Sequence, residues 1–222
     1  MAFLLYVITL IFIATTVSGD EILVDRIVEK VQANYEKAND FHASFTQEAT
    51  VRALNKVEHG DGEVWFKKAG KMRWDYRKPN REYIISDGEK IWFYKPEEGQ
   101  VIVSTLKEAV DTPEAASFLS GLGNLKEEFK AKFPEDSQID EDGNYLIELT
   151  LKDEKEDESN KIKVAVDKKS YLINEVYLYD PFGNVTRLKF QDVKINGGIP
   201  DSLFNFEIPE GVDVIKAPSL TK

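Results

Sequence analysis

The 222-residue chain contains no cysteine and only two histidines. Without cysteine there are no disulfides, and the chain cannot carry the lipid-modified N-terminal cysteine that anchors a bacterial lipoprotein. The histidines, His42 and His59, have no HExxH-like spacing, which removes the common zinc ligand patterns. No G-x-S-x-G nucleophile elbow and no G-x-x-x-x-G-K-[ST] phosphate loop occurs. "GLGNLK" at Gly121 has only the first two glycines of a dinucleotide fingerprint and reads as helix termination. "DEDGN" (Asp140 to Asn144) has its glycine at the fourth rather than the sixth position of a calcium loop and reads as a turn. These absences point to a non-catalytic chain with no cofactor and no metal.

Positive charge is also short. Lys and Arg total 29 against 40 Asp and Glu, a formal net charge of -11. That balance argues against nucleic acid and against electrostatic attachment to anionic membranes. Long apolar runs are confined to the start. Residues 2–14 are almost wholly apolar, too short to favour a membrane span, and fade into small residues before Asp20. This reads as a secretory signal peptide over residues 1–19, although no Lys or Arg precedes its apolar core. A single exported domain over residues 20–222 is expected, in the periplasm of a Gram-negative bacterium. The charge run "KDEKEDESN" (Lys152 to Asn160) reads as a solvated hairpin loop.

From Asp20 to Asn39, Leu23, Ile27, Val31 and Tyr35 recur at four-residue spacing and predict an amphipathic helix. A series of strands follows, in "FHASFTQEATV", "EVWFK", "KMRWDY", "EYIIS", "KIWFYKP" and "QVIVSTL", with a tight turn at Asp87-Gly88. Thr112-Pro113 opens a short helical segment carrying Phe118, Leu119 and Leu122. Five more strands are expected, in "NYLIELTLK", "KIKVAVDKK", "YLINEVYLYD", "NVTRLKFQDVKI" and "FNFEIP". The fold class is therefore mainly β, with about 10–11 antiparallel strands in a sheet large enough to curl and two helical segments to cover it. One pattern resists a sheet with a single buried face. Val64 and Phe66 point one way and Trp65 the other, while Met72, Trp74 and Tyr76 share a face, so both faces of these strands must lose water.

Five stretches in order, "FHASFTQ", "GDGEVWFKK", "KMRWDYRKP", "SDGEKIWFY" and "FNFEIPEGVDV", resemble the LolA family of periplasmic lipoprotein carriers over nearly all of the chain beyond residue 20. The resemblance implies an incomplete antiparallel β-barrel whose helical lid covers an apolar cavity. It implies a monomeric carrier that takes acylated lipoproteins from an inner-membrane ABC transporter and passes them to an outer-membrane acceptor lipoprotein. A carrier or sensor of another lipid on the same fold is the alternative. Strand parity then nominates Phe41, Phe45, Val64, Phe66, Met72 and Trp74 for the cavity wall, with Tyr35, Phe118, Leu119 and Leu122 lining the lid. In some members a basic residue at the end of the second strand, Arg followed by Pro, bonds lid backbone. The matching positions here are Lys68 and Ala69, and Lys lacks the planar fork of Arg. Arg73, on the opposite face, is expected to pair with a carboxylate.

Overall fold

The computed structural model describes residues 19–109, 125–152 and 161–216. Helix α1 (Gly19–Lys37) leads into six strands: β1 (Asp40–Val51), β2 (Lys56–Lys67), β3 (Lys71–Lys78), β4 (Glu82–Asp87), β5 (Lys90–Lys95) and β6 (Gln100–Thr105). The short helices α2 (Leu106–Ala109) and α3 (Leu125–Glu128) precede β7 (Phe129–Lys132). The chain continues through β8 (Tyr145–Leu151), β9 (Lys161–Val166), β10 (Ile173–Tyr179), β11 (Val185–Ile195) and β12 (Asp213–Lys216). Phe118, Leu119, Leu122, the Thr112-Pro113 start and most of the 152–160 charge run lie outside the described residues.

The described strands form one open sheet, ordered β12-β6-β5-β4-β3-β2-β1-β11-β10-β9-β8-β7. Its two ends, β12 and β7, are not paired, so the barrel is incomplete. The count is twelve rather than 10–11, and the difference has local causes. "FNFEIP" is not a strand: Phe204 ends a 3-10 turn (Asp201–Phe204), and the chain beyond it is irregular. Its alternating aromatics arise because the segment lies across the sheet face, with Phe204 1% exposed, rather than because it pairs. Beyond it β12 joins the β6 edge as the one parallel pairing in an otherwise antiparallel sheet. At the other end β7, "FKAK", follows α3 without a turn, and its lysines suit an edge strand better than its pattern announces one.

One face of the sheet, the inner one, packs against α1. The buried residues of α1 are Val24, Ile27, Val28 and Val31, the i, i+3, i+4, i+7 set, and Leu23 is 38% exposed. The expected Leu23–Ile27–Val31–Tyr35 stripe is thus rotated. Four-residue steps overshoot a 3.6-residue turn by about 40° each, so such a stripe drifts around the helix.

The outer face loses water chiefly over β4 to β6. Ile85, Trp92 and Val101 are buried there, beneath Phe206 and Val212 of the returning C-terminal segment. Phe206 lies 5.3 Å from Tyr94 and 6.0 Å from Trp92, ring to ring. Arg73 pairs with Asp75 at 2.7 Å and donates to the Leu203 carbonyl, as its parity predicts. The second face is thus covered in part by the protein's own strap, residues 199–212, whereas Trp65 of β2 lies half-buried against His42 and outside that cluster.

Asp40, at the start of β1, launches that strap. Its buried carboxylate accepts the backbone N–H groups of Gly197, Gly198 and Ile199 at 2.7, 3.0 and 3.2 Å. Asp40→Ala should cost about 3 kcal/mol, because three donors lose a charged acceptor in a site closed to water. Urea unfolding measures it, and a midpoint unchanged from the parent would show that water replaces the carboxylate. Further along, Asp201 bridges Lys67 and Lys71, whose hydrogen bonds pull its carboxyl from an ordinary 3.8 to about 2. A depressed folded value means that the bridges are at full strength above the ordinary value and are lost as pH falls through the folded one. Amide exchange across 199–206, corrected for intrinsic rates, should therefore accelerate between pH 3.8 and about 2. Equal acceleration in Asp201→Asn would assign the change to other groups.

Candidate functional site

The inner face carries a continuous aromatic patch on β1, β2, β3 and β11. Cross-strand register makes it: Phe41 faces Phe66, Phe66 faces Met72, and Val64 faces Trp74. Phe45 sits edge-on to Trp74 and Tyr76, both at 4.9 Å, and Trp74 meets Phe66 at 5.7 Å. These separations favour edge-to-face contacts worth about 0.5–1.5 kcal/mol each beyond burial. Gly62 makes the patch possible. It faces Phe45 on one side and Tyr76 on the other, and the Phe45 ring lies over it, 2.9 Å from where a Cβ would stand.

Of the residues that parity assigns to the wall, Phe41, Phe45, Val64, Met72 and Trp74 are buried in this one cluster and Phe66 packs against it half-buried, as does Tyr35 from α1. Parity within two hairpins was enough to group the wall residues. Tyr76, Ile84, Phe93 and Phe190 belong to the same surface, beyond the six wall residues that parity assigns. Phe190 touches Phe41 and Trp74 at 6.0 and 6.4 Å, a neighbourhood created by the β1–β11 pairing between distant parts of the chain. Alternation within "RLKFQ" is the one signal that could have placed Phe190 on a buried face.

The patch is electrically quiet. Burial pushes the Tyr35 phenol up to about 12, against a weaker opposing effect of a backbone hydrogen bond at Ile173. Burial, aided by Glu82, does the same for Tyr76, whose hydroxyl donates to Gln47 Oε1 at 2.9 Å. Both phenols stay neutral across the physiological range. Coverage is uneven. Phe66, Tyr76, Ile84 and Phe93, on β2 to β5, are only partly buried, whereas Val164, Val166 and Val176, on β9 and β10, are closed off.

The cover, α1, is pinned at its margins by polar contacts. Lys68 Nζ donates to the Glu36 carbonyl at 2.8 Å, near the last turn of the helix. Asn34 donates to the Ser170 carbonyl at 2.6 Å, and Lys126 pairs with Glu29 at 2.6 Å. Ala69, next to Lys68, has φ of +69°, a region closed to proline, so this turn cannot take the Arg-Pro form.

The sequence model of the family described as "Outer membrane lipoprotein carrier protein LolA" matches residues 36–207. An outer-membrane lipoprotein carrier protein of Methylobacillus flagellatus is 32% identical, over 85% of this chain and 88% of its own length. One from Nitrosomonas europaea is 30% identical with the same coverage. Among solved structures, an uncharacterized conserved protein from Thermus thermophilus superposes with a TM-score of 0.54 at 14% identity, covering 87% of this chain and 98% of that one, a likeness of fold alone. With a twelve-stranded open sheet, an apolar inner face under a helix, and these matches over most of its length, the chain belongs to the LolA family of outer-membrane lipoprotein carrier proteins.

Proposed function

We propose that this chain is a non-catalytic periplasmic carrier that holds the acyl chains of lipoproteins against its inner face and delivers them to the outer membrane. The observation that carries the proposal is the uncharged aromatic patch, covered by a helix yet partly open along β2 to β5. Each methylene removed from water contributes about 0.8 kcal/mol, so acyl chains in transit cost tens of kcal/mol if left exposed. A surface that already packs against apolar α1 side chains can exchange them for acyl groups of similar chemistry and release these again. The reading includes an N-terminal signal peptide ending near residue 19, a single domain over residues 20–222 and a monomeric carrier. An inner-membrane ABC transporter supplies cargo together with the energy of extraction, and an outer-membrane lipoprotein accepts it. Phe118, Leu119 and Leu122 are assigned to the lid on the family resemblance.

The test is release. The mature chain is added to spheroplasts of its own species, and acylated lipoproteins in the supernatant are counted. Release near one per carrier, absent with a control periplasmic protein, is the expected result. No release by folded protein with the transporter present would overturn the reading.

Lys68 is assigned as a latch on the cover, supported by its bond to the Glu36 carbonyl. Lys68→Leu should favour the open state, strengthening capture several-fold and slowing hand-over to the acceptor. Transfer rates equal to the parent's would remove Lys68 from the mechanism.

A further inference from the structure

On the outer face a hollow of about 310 Å³ lies over β2 to β4, lined by Glu63, Trp65, Asp75, Arg77, Arg81 and Tyr83, together with Tyr76, which also belongs to the inner patch. Pairing makes its floor: Glu63 faces Asp75 across β2–β3, and Asp75 faces Tyr83 across β3–β4. Aromatic walls above carboxylates suggest a cation site at first sight, but the acceptors are already served. Asp75 takes two bonds from Arg73, at 2.7 and 3.1 Å, and Arg73 also lies over the Tyr83 ring at 5.6 Å. Glu63 is bonded to His42 at 3.1 Å and approached by Arg77 at 3.7 Å. His42 in turn stacks on one face of Trp65 at 5.0 Å, with the rings 4° from parallel.

What remains unserved among the described residues are donors. Arg81 is exposed and makes no hydrogen bond or ion pair. Neither the Trp65 indole N–H nor the Tyr83 hydroxyl has a hydrogen-bond partner. Trp65 is itself partly exposed. A ligand that completes this hollow brings acceptors of negative charge next to an apolar side chain. Of the four cations in "RWDYRKPNR" (Arg73 to Arg81), Arg73, Arg77 and Lys78 are paired with Asp75, Asp61 or Glu63, which leaves Arg81 to meet a ligand.

We propose that this hollow docks an acidic, extended segment of a partner protein. A carboxylate of the segment bonds Arg81, with Trp65 Nε1 and the Tyr83 hydroxyl within the same wall, and a neighbouring apolar side chain packs on Trp65. An anionic bilayer is the poorer occupant: the unpaired Arg81 borders a hollow of about 310 Å³ between Glu63 and Asp75, which a narrow segment can enter and a flat headgroup surface cannot. Because β3 and β4 are interior to the sheet, the segment is read by side chains and not by strand addition. The site lies on the face opposite the aromatic patch, so a partner can hold the carrier while its inner face is being filled or emptied. The proposal stands whatever the inner face carries.

The experiment is fluorescence anisotropy of a labelled short peptide of alternating Glu and Phe, titrated with the full mature chain at low salt. An alternating Gln and Phe peptide is the uncharged control. The acidic peptide should bind with Kd on the order of 10–100 μM and quench Trp65, the one tryptophan of three that is not buried. Arg81→Glu should weaken binding about tenfold or more at an unchanged unfolding midpoint, and added salt should weaken it for the parent. Equal binding by Arg81→Glu would overturn the proposal. So would equal binding of the uncharged peptide, which would mean uptake by apolar surface alone.

Discussion

Gly62→Val should be among the most damaging single substitutions in the protein, lowering stability by roughly 3 kcal/mol or more. A Cβ at this position runs into the Asp75 carbonyl oxygen of the adjacent strand and lies 2.9 Å from the Phe45 ring. A ring can turn aside; a paired backbone carbonyl cannot move without separating β2 from β3. Gly62 also adjoins the irregularity between Asp61 and Gly62, where β2 and β3 change register, so no slack exists on that side. Urea unfolding reads the loss. Combining Gly62→Val with Phe45→Leu should recover little of it, because the carbonyl clash remains. A double variant restored to the stability of Phe45→Leu alone would show that the ring, and not the backbone, sets the limit.

Phe66→Glu should abolish lipoprotein release, by at least tenfold in the spheroplast assay, while leaving the protein folded. Phe66 is partly exposed at the open side of the inner face, so an empty carrier can keep the new carboxylate hydrated. Acyl chains arriving there must strip that water, and an unpaired carboxylate against hydrocarbon costs several kcal/mol. The same substitution removes the edge contacts of Phe66 with Trp74 and its tilted contact with Phe41. Phe66→Leu separates the two effects: it loses the ring contacts and keeps an apolar surface, and it should release at least half as much cargo as the parent. Normal release by Phe66→Glu would move the acyl site away from β2 and overturn the assignment of this patch.

The two hairpins from Glu63 to Tyr94 were the most legible part of the chain. Their side-chain period of two sorts Val64, Phe66, Met72 and Trp74 onto one face whatever the rest of the fold does, and the short turns set the register. The face of α1 was less so: Leu23 and Val24 are both apolar neighbours, and only the position of the sheet decided that Val24 is buried and Leu23 exposed. Ala69 shows a further limit. Its residue type gives no hint of a φ of +69°, which the closing geometry of the β2–β3 turn imposes.

Composition and periodicity by themselves determined that this is a cysteine-free, acidic, mainly β chain with an apolar face and no recognisable catalytic set. Those properties depend on residue type and on spacing within one strand or helix. Tertiary structure alone decided that Phe190 completes the aromatic patch, that Phe204 and Phe206 form a strap rather than a strand, and that Asp40 holds the strap's root. It also decided that Arg81 and Trp65 border one hollow. Each of these joins residues far apart along the chain or on different strands. Sequence pattern reports which side chains avoid water, whereas partners across such separations are chosen only when the sheet closes around them.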